Sequence, residues 1–111
     1  MRLLRPCHAM KTSERITHAA DRIQAVLDAH RSAESNPAAM NELRAAAAEL
    51  GAADPFSSGK MIELMEKAQV FYGHKSLFRL PGSSQRLWGA MHEDLLDLLR
   101  MRARVLASQG D

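Results

Sequence analysis

Residues 84–108, SQRLWGAMHEDLLDLLRMRARVLAS, constrain this chain more than any other stretch. Leu87, Trp88, Met91, Leu95, Leu98 and Leu99 recur at three- and four-residue spacing, the period of one helix face. Trp88, Met91, Leu95, Leu98, Arg102 and Val105 alternate strictly between three and four, as the seam of a helix–helix contact does. An unbroken helix over this span would be about 37 Å long at 1.5 Å per residue. A fold containing it must supply other helices to cover its apolar side.

The rest of the chain supplies them. Ala, Leu and Met are abundant and β-branched residues are scarce, which favours helix over strand. A first helix is predicted from Ser13 to about Arg31, capped by Thr12 or Ser13. Its face is Ile16, Ala19, Ala20, Ile23, Val26, Leu27 and His30. Asn36-Pro37 opens a second helix, with a good N-cap followed by proline at the first helical position. Met40, Leu43, Ala47 and Leu50 line it, the alanines Ala45 to Ala48 allow close packing, and Gly51 ends it.

Asp54-Pro55 repeats the cap signal and is expected to start a single turn containing Phe56. Ser57 or Ser58 then caps a third helix with Met61, Leu64, Met65, Ala68, Phe71 and Tyr72 on one face, ended by Gly73. Leu77, Phe78 and Leu80 are too apolar for an idle connection and are expected to tuck under the edge of the bundle. Pro81-Gly82 turns the chain, and Ser83 or Ser84 caps the last helix.

The prediction is an all-α fold, a compact four-helix antiparallel bundle with a long C-terminal helix. Residues 1–11 read as a flexible basic tail, with Met10 an alternative start. Residues 12–108 form a single helical domain, and residues 109–111 a short C-terminal tail. The length suits one domain with its own core.

Composition excludes little beyond this. Lys plus Arg number 15 against 13 Asp plus Glu, so the net charge of +2 does not by itself call for nucleic acid or membrane. The single cysteine, Cys7, rules out an intramolecular disulfide and fits a cytoplasmic setting. No apolar run approaches the roughly 18 residues that span a bilayer.

Several motifs bear on chemistry. Gly59-Lys60 lacks the earlier glycine and the following Ser or Thr of a phosphate loop. Cys7, His8, His18, His30, His74 and His92 have no zinc-ligand spacing. Helix, Gly51 and a helix from Ser58 follow the order of a helix-turn-helix. However, the connection from Gly51 to Ser57 is too long, and KMIELMEK is acidic for a reading helix. His92 with Glu93, Asp94 and Asp97 offers acid–base groups, but no matched nucleophile or oxyanion donor. No catalytic residue, metal, cofactor or small-molecule substrate is implied, and no motif is specific enough to borrow a family's function. The Arg100, Arg102, Arg104 run suits the negative end of a helix dipole.

Two surfaces remain. A fourteen-residue partner covers only about 21 Å, so helices two and three are expected to leave one side of the last helix bare. Its wide apolar arc then predicts a homodimer or docking to another helical protein. The contact residues would be Trp88, Met91, Leu95, Leu96, Leu99, Arg102 and Leu106, and the bare side also carries Leu87. The alternative is a nucleic-acid or acidic-partner surface in the acid-free span from Lys67 to His92. There Lys67, Lys75, Arg79 and Arg86 interleave with Phe71, Tyr72, Phe78 and Trp88.

Overall fold

The computed structural model describes residues 10–75, 80 and 82–111. They form an all-α bundle: α1 (Thr12–Ala29), α2 (Pro37–Leu50), α3 (Pro55–Phe71) and a continuous helical run over 84–108. That run has three parts: α4 (Ser84–Gly89), a π-helical segment (Ala90–Leu95) and α5 (Leu96–Ser108). The tail residues 1–9, with Cys7 and His8, and Leu77, Phe78 and Arg79 lie outside the described residues.

The sequence face of α1 becomes core. Ile16, Ala19, Ala20, Ile23, Val26 and Leu27 are all buried, and His30 is half-buried just past the helix end. The start differs from the prediction. Lys11 takes the cap position, with its N–H donating to Glu14 Oε1 at 2.8 Å, and Ser13 is buried inside the first turn. The Ser13 N–H donates to the Asp111 carbonyl oxygen, so the end of the chain closes over the start of α1.

Helix α2 begins as predicted. Asn36 Oδ1 accepts from the Ala39 N–H at 3.0 Å, Pro37 follows, and Gly51 leaves the helix at φ 60°, where a side chain would be strained. The close-packed alanines are Ala39 and Ala46 rather than Ala47, which is only half-buried.

Helix α3 starts earlier than predicted. Asp54 caps it directly: Oδ2 accepts from the Ser57 N–H at 3.0 Å and from Ser57 Oγ at 2.8 Å. The expected single turn is thus the first turn of α3, which reaches 17 residues. Met61, Leu64, Ala68, Phe71 and Tyr72 are buried, and Met65 is half-buried.

Cross-helix pairs show the antiparallel arrangement. Along α1 and the C-terminal run, Ser13 meets Asp111, Asp21 meets Arg100 at 2.9 Å, and Asp28 meets His92 at 2.8 Å. Along α1 and α2, Arg22 Nη1 and His18 Nδ1 both reach Glu49, at 3.2 and 3.0 Å. Along α3 and the C-terminal run, Asp54 meets Arg102 at one end, and the Phe71 ring meets Trp88 at 6.0 Å at the other. At the turn between α1 and α2, the Tyr72 hydroxyl donates to the His30 carbonyl and the Asn36 N–H donates to the Tyr72 carbonyl. That clasp ties the end of α3 to the same corner.

Leu80 is 72% exposed, so it does not tuck under the bundle as expected. Pro81 also lies outside the described residues. Ser83 precedes α4, but its Oγ donates back to the Leu80 carbonyl instead of capping.

Candidate functional site

The apolar arc of the last helix is wide only if the helix is regular. The Leu96 N–H donates to the Met91 carbonyl, five residues back, which is the π-helical pattern. One extra residue in the turn delays the rotation by about 100°. Trp88, Met91 and Leu95 face the bundle before the delay; Leu96, Leu99, Ala103 and Leu106 face it afterwards. Two offset stripes therefore merge into one core face.

This corrects the premise of the expected docking surface. Met91, Leu95, Leu96, Leu99 and Leu106 are at most 6% exposed, and Leu87 is half-buried against the same core. The longer α3, held to α5 at its first turn, and α1 cover the side that short partners were expected to leave bare. Arg102 is also engaged within the chain: Nε and Nη2 reach both oxygens of the Asp54 carboxylate at 3.0 to 3.3 Å. That carboxylate is buried and held below the ordinary carboxyl value, first by Arg102 and further by Ser57, against the opposing effect of burial.

Trp88 is half-buried in a stack. His92 lies parallel to it at 4.9 Å, the Arg31 guanidinium sits 5.5 Å from its ring centre, and Phe71 packs at an angle. His92 Nε2 bonds Asp28 of α1, while its Nδ1 is buried without a hydrogen-bond partner. The carboxylates expected beside it, Glu93, Asp94 and Asp97, are exposed and point elsewhere, lining a shallow depression with Leu98. Among the described residues no cluster of three or more His, Cys, Asp or Glu side chains is arranged to hold a metal.

The basic and aromatic span divides in the same way. Phe71 and Tyr72 are fully buried, with their rings edge to face at 4.7 Å, so neither can stack on a base. Lys67 is half-buried on α3, Lys75 and Arg86 are exposed, and Arg79 lies outside the described residues. The connection between α2 and α3 is residues 51–54, shorter than expected and of helix-turn-helix length. The outward side of α3 nevertheless keeps Glu63 and Glu66.

With the core stripe accounted for, a second stripe stands out on α5. Leu98 is half-buried, and Met101 and Val105 are 46% and 44% exposed. Their spacing of three and four aligns them along one side of α5, where Leu98 still packs against the core and Met101 and Val105 turn away from it. Asp97 and Arg104 flank the stripe, both exposed, and neither makes an ion pair with a described residue. The sequence carried this signal in Leu98 and Val105. Met101 carries no such signal in the sequence, because the leucines beside it make a stronger pattern.

The fold and this surface define a small all-α bundle whose described residues include an exposed apolar pair, Met101 and Val105, on α5. Comparison with protein-family models, with curated proteins and with solved structures gives no match. Among the described residues no helix is long and apolar enough to cross a membrane.

Proposed function

We propose that this chain is a non-enzymatic protein-interaction module, working in the cytoplasm, whose contact surface is the outward face of α5. The observation that carries this reading is the line Leu98, Met101 and Val105. Met101 and Val105 stand 46% and 44% exposed, and Leu98, half-buried against the core beside them, continues their three–four spacing. Single exposed apolar residues are ordinary, but two exposed in register along one helix, continued by a half-buried third, match how helices are recognised by other helices. Nucleic acid is the less supported reading, because Phe71 and Tyr72, two of the aromatics that would stack on bases, are buried in the core.

A photo-crosslinking residue at Met101, with a control at Asn41 on exposed α2, tests this in the cell that makes the protein. Adducts to a polypeptide from Met101 and not from Asn41 are expected. Equal yields at the two positions, or adducts to nucleic acid alone, would overturn it.

A further inference from the structure

We infer that the partner of this face is a second copy of the same chain, with the two α5 helices paired antiparallel. The inference rests on the interaction-module reading and specifies its partner by charge. The three C-terminal arginines are not equivalent. Arg100 is committed to Asp21 and Gln24 of α1, and Arg102 to Asp54. Arg104 alone of the three makes no ion pair with a described residue, and it lies beside the seam toward its C-terminal end. The acidic residues Glu93, Asp94 and Asp97 are exposed at the N-terminal end, where they line the shallow depression with Leu98.

The surface therefore runs from acid to base along one helix, and such a surface is complementary to itself only when reversed. Asp97 and Arg104 are close to two helical turns apart, so they lie on the same flank of the stripe. A two-fold axis across the seam brings each flank against its own copy and places Asp97 of one chain beside Arg104 of the other, twice per dimer. The same register sets Met101 close to its own copy, places Leu98 between the second copy's Met101 and Val105, and seats Arg104 near the acidic depression. A parallel pairing would instead bring acid level with acid. Thirteen residues of α5 give about 20 Å of paired helix, less contact than a standard interface of about 1,600 Å². The dimer is accordingly a concentration-dependent one.

Sedimentation of the full chain from about 10 to about 500 µM tests this, across the micromolar affinities typical of weak complexes. A rise in mean mass toward twice 12.3 kDa is expected. Asp97→Arg and Arg104→Asp should each weaken association by about tenfold, and the double swap should bring it back to within about threefold of the original. Val105→Glu should leave a monomer. All of these positions are exposed, and unchanged helicity by circular dichroism checks that each variant folds. A monomer throughout the range, or a double swap no better than the singles, overturns the antiparallel dimer. If Met101 still crosslinks selectively to a different polypeptide, the module reading stands while the self-pairing falls. If neither crosslink nor dimer is seen, both fall.

Discussion

The Arg102 guanidinium meets the Asp54 carboxylate at two points, Nη2 to Oδ1 at 3.0 Å and Nε to Oδ2 at 3.1 Å. Asp54 is the N-cap of α3, so one buried carboxylate both starts a helix and fastens it to α5. The pair joins two elements that lie far apart in sequence, at the end of the bundle opposite the Phe71–Trp88 contact.

Asp54→Ala should cost about 2 kcal/mol, the upper end for a lost cap, because the substitution also strands Arg102. Asp54→Asn keeps an acceptor for Ser57 and should cost less. The folded-state carboxyl lies below its ordinary value of 3.8. Its stabilising effect is thus complete above about pH 4 and is lost as pH falls through the folded value. Urea melts between pH 7 and pH 2 check this. Wild type should lose more stability below about pH 4 than Asp54→Ala, and equal losses would show that the pair contributes nothing.

Tyr72 gives the opposite dependence. Burial pushes its hydroxyl up from 10.0 to about 12. The neutral phenol, which donates to the His30 carbonyl, is the form the fold favours. Stability from this group is complete below about pH 10 and is lost as pH rises through about 12. Tyr72 is the single tyrosine, so phenolate absorbance reports it alone. The absorbance should stay low at about pH 10.5 and rise together with the loss of helicity. A normal titration in a protein still folded would contradict this burial. Tyr72→Phe should cost about 1 kcal/mol for the lost bond.

Removing one residue from the π-helical segment should be tolerated. Without Asp94, a regular helix would carry Trp88, Met91, Leu96, Leu99, Ala103 and Leu106 at strict three–four spacing on the core face. The deletion variant should therefore keep its helicity and a cooperative melt. Deleting Glu63, also exposed but in the regular helix α3, turns Leu64, Ala68 and Phe71 away from the core and should abolish folding. Comparable melting temperatures for the two deletions would refute this account of the arc.

Two glycines should respond with opposite signs. At Gly59, inside α3, an added Cβ meets nothing within 4 Å. Gly59→Ala should therefore stabilise by about 0.5–1 kcal/mol through helix propensity. At Gly73, a Cβ would press into Gln69 Oε1 and come within 3.0 Å of Gln69 Cα. That oxygen is buried, so the neighbouring structure must shift, and Gly73→Ala should cost about 1–3 kcal/mol. Thermal melts of the two variants give the comparison directly.

Local signals were the legible part of this molecule. The periodicity of α1 gave its buried face, and Asn36-Pro37 and Asp54-Pro55 mark true helix starts. Partner contact is less legible in the sequence, because an apolar side chain has the same spacing whether a neighbouring helix or a second molecule covers it. The wheel of a regular helix made Leu96 and Leu99 look like the edge of an overly wide arc. A π-helical turn changes which residues share a face, and no single residue type marks it.

By itself, then, the sequence determined the helical class, the punctuation between helices and the inward face of α1, all set by interactions within a few residues along the chain. Only the tertiary structure decided that Arg102 belongs to Asp54 and His92 to Asp28, and that Leu99 is core while Met101 stands in water. Those outcomes depend on the offset between helices distant in sequence. That offset is fixed by packing the whole core at once, with the one-residue delay before Leu96 bringing both halves of the last helix to face it.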